Sequence, residues 1–105
     1  MPIVKIVILN WNGAEHLRRF LPSVVAAAPA GVGVVVADNG STDGSLAVLA
    51  EKFPTVAVVR LDRNYGFAGG YNRALAQVEA DYYLLLNSDV ETPRMAGADP
   101  RRSGA

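Results

Sequence analysis

Four short apolar runs, none of which alternates regularly with polar residues, constrain the fold of this chain most. They cover residues 3–9, 34–37, 55–61 and 82–86. The stretches between them carry apolar residues at helical spacing, so strands and helices should alternate along the chain. Strands that are apolar on both sides are typical of a parallel sheet buried between helices. The sequence therefore predicts an α/β fold with three layers.

The order of the predicted strands follows from the handedness of their connections. Right-handed crossovers leave few topologies, and we expect a doubly wound, mainly parallel sheet with strand order 3-2-1-4. Strands one and four then become neighbours where the winding reverses, and ligands of open α/β sheets bind at the carboxyl ends of strands at such a point. The polar residues that follow these strands and the second strand are Asn10, Asn12, Asp38, Asn87 and Asp89.

The predicted helices carry their own start and stop signals. Asn12 is expected to cap the first helix, and Pro22 is expected to kink it or end it one residue earlier. One of Ser41, Thr42 and Asp43 is expected to cap the second helix. Apolar residues at helical spacing define the expected buried faces of the second and third helices, namely Leu46, Leu49, Ala50 and Phe53, then Phe67, Tyr71, Ala74, Leu75 and Val78.

Composition excludes several classes of function. The 105 residues suit one small domain, and 10 Lys and Arg balance 10 Asp and Glu, so the basic footprint of a nucleic-acid binder is missing. No apolar run reaches the length of a membrane span, and the first residues read as a strand rather than a secretion signal. Without cysteine, neither disulfides nor a thiolate zinc site can form. We expect a cytoplasmic location, which includes the inner face of the membrane.

The segment after the fourth strand carries the pattern Asn87-x-Asp89-x-Glu91. Residues two apart in an extended segment share one side, so these oxygens could face a common ion. Hard oxygen ligands suit Mg²⁺ or Mn²⁺. The alternative is a polar strand exit that caps whatever follows, and the pattern alone does not decide between the two.

The turn after the second strand, residues 38–44, begins with Asp38 and contains Gly40 and Gly44. A carboxylate directly after a strand can accept hydrogen bonds from a nucleoside base or from ribose hydroxyls. The alternative is an ordinary strand-to-helix turn closed by the aspartate side chain.

The segment of residues 64–73 is rich in glycine and opens the third predicted helix. A helix N-terminus attracts phosphate, and Arg63 and Arg73 could add charge-assisted bonds to phosphate oxygens. The alternative is a tightly packed helix start with both arginines in solvent. In the loop after the first strand, Trp11 could stack on a base, although packing against the domain is the reading we favour. A binding role for Asn10 is as well supported as a structural one.

In this order, four stretches resemble the N-terminal half of the family 2 inverting glycosyltransferases, which have the GT-A fold. They are residues 6–13 (IVILNWNG), 36–44 (VADNGSTDG), 64–72 (NYGFAGGYN) and 84–90 (LLLNSDV). The resemblance covers about residues 3–93. Within the family it is most similar to the rhamnosyltransferase-type enzymes of cell-surface polysaccharide synthesis.

The resemblance implies a dTDP- or UDP-sugar as donor substrate and a divalent cation, Mg²⁺ or Mn²⁺. It places Asp38 against the nucleoside and Asp89 on the metal, as the last carboxylate of an Asp-x-Asp motif. Asn87 stands at the first position of that motif, where an amide is a weaker, neutral ligand. The residues expected to bind the nucleotide sugar are Asn10, Asn12, Asp38, Asn64, Gly66, Asn72 and Asn87.

The implied reaction is inverting displacement at the anomeric carbon, with the metal neutralising the leaving diphosphate. A carboxylate base must deprotonate the acceptor, a glycan or lipid-linked saccharide. The resemblance places that base beyond this sequence, so we name no catalytic residue. We expect residues 1–93 to form the nucleotide-sugar-binding half and residues 94–105 an irregular or disordered tail left by a truncated or frame-shifted gene.

Two other functions compete with this one. A non-catalytic nucleotide-binding or interaction module would bind the same ligand without turnover. A dinucleotide-dependent oxidoreductase is weaker, because no G-x-G-x-x-G follows the first strand.

Overall fold

Strands and helices alternate strictly in the computed structural model, which describes residues 2–87. The elements are β1 (Val4–Asn10), α1 (Ala14–Ala27), β2 (Val32–Asp38), α2 (Ser45–Lys52), β3 (Ala57–Arg60), α3 (Gly66–Leu75) and β4 (Tyr82–Asn87). The predicted alternation is confirmed. Asp89, Glu91 and the predicted tail of residues 94–105 lie outside the described residues.

The four strands form one parallel sheet in the order β3-β2-β1-β4, as the sequence predicts. The register pairs Asn10 with Asp38 and Leu9 with Asn87. Strands β1, β2 and β4 therefore end at the same edge of the sheet. Strands β1 and β2 each extend one residue beyond the predicted apolar run, to Asn10 and Asp38. Strand β3 covers Ala57–Arg60 and is shorter than the predicted run of residues 55–61.

Two clusters of buried side chains lie on opposite faces of the sheet. Because successive side chains of a strand point to opposite faces, β1 sends Ile6 and Ile8 towards α1 and α2, and Val7 and Leu9 towards α3. Full burial of each such side chain contributes about 1.5–3 kcal/mol. This division explains why β1 reads as an almost continuous apolar run.

Helix α1 continues past Pro22 to Ala27, so the predicted end before the proline is wrong. The missing N–H of Pro22 would have bonded the carbonyl of Arg18, which lies on the exposed side of the helix where water can solvate it. On the other side, Leu17 and Leu21 are fully buried. Burial of that face therefore outweighs the lost backbone bond.

The predicted buried faces of the later helices need correction. Val48 rather than Ala50 is buried in α2, and Phe67 is 62% exposed although it heads α3. Val78 lies beyond the end of α3 but still packs on its cluster. Helix α2 has only eight residues. Over so short a helix, the spacing of its apolar residues is compatible with more than one choice of buried face.

Strand β4 is not the buried strand that its apolar run indicates. It lies at an edge of the sheet within residues 2–87, and helix α3 contacts β1 and β2. The outer strand consequently keeps a large part of its apolar surface in solvent. Its exposed residues are Tyr82, Tyr83, Leu84 and Leu85.

Candidate functional site

The last residues of β1 and β2 form a buried polar pair at the carboxyl edge of the sheet. Asn10 is 0% and Asp38 2% exposed, and the Asn10 side-chain nitrogen donates to Asp38 Oδ1 at 3.0 Å. A buried charge is costly unless it is hydrogen-bonded. The pair therefore joins the ends of the two strands and places both predicted binding residues together.

The turn after β2 closes on the same carboxylate. Ser41 donates its hydroxyl to Asp38 Oδ1 at 2.7 Å and its backbone N–H to Oδ2 at 3.0 Å. With the bond from Asn10, the carboxylate accepts three hydrogen bonds from the protein. A carboxylate has about four acceptor sites, so one of them has no donor among the described residues.

The Oδ1 atom of Asn10 is buried and has no hydrogen-bond partner among the described residues. Exchanging the amide oxygen and nitrogen would set an oxygen against the Asp38 carboxylate, so the orientation of the amide is determined. Leaving such an acceptor unpaired costs about 1–3 kcal/mol. The orphaned oxygen belongs to the same side chain that donates to Asp38, and the described protein supplies no donor for it.

Asn12 joins the loop after β1 to the loop after β2. Its Oδ1 accepts the backbone N–H groups of Thr42 at 2.7 Å and Asp43 at 3.1 Å, and its own N–H donates to Ser41 Oγ at 2.9 Å. Its backbone has φ 50°, a left-handed conformation that asparagine tolerates better than most residues. Asn12 therefore has a structural role in addition to the binding role that the sequence predicts for it.

The carboxylate of Asp43 caps two helices at once. Its Oδ2 accepts the N–H of Ala14 at 3.2 Å, and its Oδ1 accepts the N–H of Ser45 at 2.9 Å. The N-cap residues themselves are Gly13 and Gly44, so the prediction of Asn12 as the first cap is wrong. Burial raises the pKa of Asp43, but the hydrogen bonds from Ser45 and Ala14 together hold it below its usual value.

Asn39 is a site residue that the sequence analysis missed. It is 2% exposed, its nitrogen donates to Asn64 Oδ1 at 3.1 Å and to the Gly66 carbonyl at 3.0 Å, and its Oδ1 accepts the N–H of Tyr65 at 3.0 Å. A side chain at Gly70 would approach the Asn39 nitrogen within 2.8 Å. The sequence does carry one indication of this role, because Asn39 is a polar residue that directly follows Asp38 at the end of β2.

The loop before α3 is shaped by Asn64 and Gly66, as the sequence suggests. Asn64 Oδ1 also accepts the N–H of Gly66 at 2.7 Å, and Gly66 has φ 78°, which favours glycine. Asn39 brings both residues to the carboxyl edge of the sheet. Asn72 is exposed on α3, and no side-chain hydrogen bond within residues 2–87 connects it to this network.

The predicted metal ligand, Asp89, lies outside the described residues, two positions along the sequence from the end of β4. The backbone of Asn87 pairs with Leu9, one residue before Asn10. Across residues 2–87, no group of three or more His, Asp and Glu side chains could hold a metal ion. The assignment of Asp89 to a divalent cation stays a prediction.

Trp11 is 52% exposed in the loop directly after β1. About half of its surface is therefore covered by the protein, and the other half is in solvent, where an indole can stack on a ligand. Both readings of this residue, packing against the domain and stacking on a base, stay predictions.

The matches with known proteins agree with this architecture. Residues 5–96 match the family model of Glycosyl transferase family 2. The open parallel sheet of order 3-2-1-4 matches the sheet of solved GT-A glycosyltransferases. The chain belongs to glycosyl transferase family 2.

Two relatives illustrate the similarity in sequence. The N-acetylglucosaminyl-diphospho-decaprenol L-rhamnosyltransferase of Mycobacterium tuberculosis H37Rv is 30% identical over 100 residues, which is 85% of this chain and 33% of that protein. The succinoglycan biosynthesis protein ExoO of Rhizobium meliloti is 32% identical over 90 residues, 85% of this chain and 26% of that protein. The chain thus spans between a quarter and a third of the length of these relatives.

Two solved structures share the fold. The 1–349 fragment of Staphylococcus aureus TarS in complex with UDP-GlcNAc superposes with a TM-score of 0.69 and 27% identity, over 82% of this chain and 26% of that fragment. The mannosyltransferase PcManGT of Pyrobaculum calidifontis, in complex with GDP-Man and Mn²⁺, has a TM-score of 0.72 and 25% identity, over 89% of this chain and 29% of that protein. Separately, the helices in the described part of the chain are too short or too polar to cross a membrane.

Proposed function

We propose that this chain is the nucleotide-sugar-binding half of an inverting glycosyltransferase that uses a divalent cation. The observation that carries the proposal is the buried Asn10–Asp38 pair with its orphaned amide oxygen. That pair lies at the carboxyl edge of the sheet, where the register also brings the end of β4. In open α/β sheets this is the edge at which ligands bind.

The chemistry of the pair suits a uracil or thymine base. Asp38 retains one acceptor site, which matches the single imide N–H of those bases, and Trp11 is exposed beside it. A dTDP- or UDP-sugar is therefore the donor substrate we propose. The solved relatives carry UDP-GlcNAc in TarS and GDP-Man in PcManGT, which supports this class of ligand.

The residues after β4 fit a divalent cation. Mg²⁺ in proteins is usually held by one or two carboxylates together with substrate phosphates and water. Asp89 supplies one carboxylate, two residues beyond Asn87, whose backbone lies next to Leu9. The cation would neutralise the diphosphate as it leaves, while Asn12 and Asp43 hold the loops that frame the nucleotide.

Sugar transfer itself needs a base for the acceptor hydroxyl, and we assign that role to no residue of this chain. Because the chain spans at most about a third of the length of these relatives, we expect it to bind the nucleotide sugar without transferring the sugar. The acceptor we propose is a glycan or lipid-linked saccharide. The location we propose is the cytoplasm, which includes the inner face of the membrane.

The test is a titration with UDP and with dTDP, each with and without Mn²⁺. Trp11 is the sole tryptophan, so its fluorescence reports occupancy of the site, and calorimetry gives the affinity. Asp89→Asn should weaken Mn²⁺-dependent binding by about tenfold or more, since charged ligands contribute strongly. Glu79→Gln, an exposed carboxylate on the segment before β4, is the matched control and should leave binding unchanged.

Absence of binding for both nucleotides in the folded protein with Mn²⁺ would refute the proposal. Binding that is equal with and without Mn²⁺ would refute the metal role alone. Transfer of sugar by this chain would refute the assignment of the base to a longer polypeptide.

A further inference from the structure

Three arginines gather on the side of the domain where β3 forms the edge of the sheet. Arg60 ends β3, Arg63 lies in the next loop, and Arg73 lies in the last turn of α3. The guanidinium carbons of Arg63 and Arg73 lie 5.1 Å and 3.9 Å from the centre of the Tyr65 ring. Cation–π contacts of this kind hold both groups in place.

The positive charge of this cluster is only partly balanced by Asp62, which interacts electrostatically with Arg63 and Arg73. Within residues 2–87, no carboxylate lies within ion-pair distance of any of the three guanidinium groups. The nearby acid is Asp62, and its Oδ1 already accepts the hydroxyl of Tyr65. The whole chain has a formal net charge of zero, so three arginines beside one aspartate are a local excess.

A cavity of about 390 Å³ opens between β3 and α3 at this cluster. We call it the arginine groove, and it is lined by Arg60, Leu61, Asp62, Tyr65, Arg73, Ala76 and Gln77. A guanidinium that stacks on a ring keeps its in-plane N–H donors available, and their fork geometry matches phosphate oxygens. Gln77 adds an amide donor to the same wall.

We propose that the arginine groove binds a phosphate group at a site separate from the nucleotide-sugar site. The side chains of Asn10 and Asp38 point to the face of the sheet that α1 and α2 cover, since they alternate in phase with Ile8 and Val36. The groove is bounded by β3 and α3, and none of the residues expected to bind the nucleotide sugar is among those that line it. A bound phosphate would place negative charge beside Arg60 and Arg73, the two arginines that line the groove.

The phosphate has two sources that the groove alone does not distinguish. One is a soluble phosphorylated compound, and the other is the headgroup layer of an anionic membrane. Both would contact the same guanidinium groups, and both would weaken as salt rises. The experiment therefore has one arm for each source.

In the first arm, inorganic pyrophosphate is titrated into the protein at constant ionic strength with EDTA present. The arginine Nε–H resonances of the groove should shift and saturate. Arg60→Gln and Arg73→Gln should each weaken binding by about tenfold, the usual effect of losing a charge-assisted hydrogen bond. Arg73→Lys should weaken it as well, because lysine lacks the planar fork.

The matched control is Arg18→Gln, which removes the same charge from the exposed face of α1. Arg18 pairs with Glu15 at 2.9 Å, and such a surface pair contributes little to stability. In the second arm, the same variants are sedimented with phosphatidylglycerol vesicles and with neutral vesicles. Thermal melting confirms that each variant is folded.

Saturable binding of pyrophosphate that the groove variants lose and Arg18→Gln keeps would support a soluble ligand. Vesicle binding with the same dependence, without saturable pyrophosphate binding, would support the membrane. Equal losses in Arg18→Gln and the groove variants, or binding in neither arm, would overturn the proposal. If Arg73→Gln unfolds, Arg60→Gln decides, because the exposed Arg60 side chain makes no hydrogen bond or ion pair within residues 2–87 that its loss would break. EDTA removes the divalent cation, so this experiment does not depend on the proposed metal site. Failure of the arginine groove to bind phosphate therefore leaves the nucleotide-sugar proposal standing, and failure of nucleotide binding leaves the groove proposal standing.

Discussion

The side-chain nitrogen of Asn10 donates to the carboxylate of Asp38 at 3.0 Å across the last register pair of β1 and β2. Both side chains are buried, and the remaining oxygen of Asn10 has no partner within the described residues. The pair links two strands through a hydrogen bond that a second carboxylate at position 10 could not donate when it is ionised. Its effect on stability is therefore open to a direct test.

Replacing the amide by a second carboxylate should destabilise the fold. We expect Asn10→Asp to lower the free energy of unfolding at pH 7 by about 3–5 kcal/mol, because it leaves two buried charges of the same sign together. The deficit should shrink at low pH, where one carboxyl of the pair takes up a proton. Urea denaturation at several pH values measures both effects.

The control for this change is Asn72→Asp, which replaces an amide by a carboxylate in the same way at an exposed position of α3. It should change the free energy of unfolding by no more than about 0.5 kcal/mol. Equal effects of the two substitutions at pH 7 would show that the Asn10–Asp38 pair does not matter for folding.

Gly40 allows the turn after β2 to pass against the loop after β3. It has φ 78°, and a Cβ atom there would lie 2.7 Å from the backbone nitrogen of Asn64 and closer still to the carbonyl of Arg63. Because backbone cannot yield as a side chain can, Gly40→Ala should cost about 3 kcal/mol or more in unfolding free energy. It should also disturb Asn39, and so weaken nucleotide binding.

The cost of Gly40→Ala combines a steric clash with the strain of a positive φ. Gly31→Ala is the control that measures the strain alone. Gly31 has φ 87° but nothing within 4 Å of its Cβ position. Its substitution should cost only the strain of the left-handed conformation, about 1–2 kcal/mol. If Gly40→Ala and Gly31→Ala lower the free energy of unfolding equally, the loops after β2 and β3 are not in tight contact.

Asp43 should make stability depend on pH. Its pKa is lowered in the folded protein, so its contribution is present above the unfolded value of about 3.9 and is lost as pH falls through the folded value below that. Asp43→Ala should cost about 1–2 kcal/mol at pH 7, since two helix N-termini lose an acceptor.

The difference between Asp43→Ala and the unmodified chain should then narrow as the pH falls below about 4. Glu51→Ala, which removes an exposed carboxylate from the same helix α2, should show a smaller effect at pH 7. A pH-independent loss in Asp43→Ala would argue against the capping bonds from Ala14 and Ser45.

The exposed apolar surface of β4 should cause the chain to associate. Leu84 and Leu85 are 54% and 44% exposed on a strand at the edge of the described sheet, and unpaired edges of this kind promote aggregation. Sedimentation velocity should show dimers or larger species at micromolar concentration. Leu84→Lys should shift the distribution towards monomer, because a charged edge opposes strand pairing.

Val25→Lys introduces the same charge at an apolar residue of α1 that is 37% exposed. It should leave the association unchanged. A stable monomer for the unmodified chain, or equal effects of both lysine variants, would contradict the role of β4.

The alternation of elements and the strand order could be predicted because they depend on local patterns and on chain handedness. Apolar runs without alternation indicated buried strands for β1 and β2, and right-handed crossovers limited the order to the one found. The position of Asn10 and Asp38 at one edge followed from the same reasoning. Only strand order and register were needed to bring them together.

The partners of the loop side chains could not be predicted in this way. Asn12 bonds Thr42 and Asp43, and Asn39 bonds Asn64, across separations of 25 to 31 residues that no local pattern encodes. Burial of β4 was predicted from its composition, although the exposure of a strand depends on which elements lie beside it. The sequence alone determined which segments become strands and where their polar ends meet. The tertiary structure decided which polar atoms are satisfied by the protein and which remain for a ligand, because that depends on distances between loops that are remote along the chain.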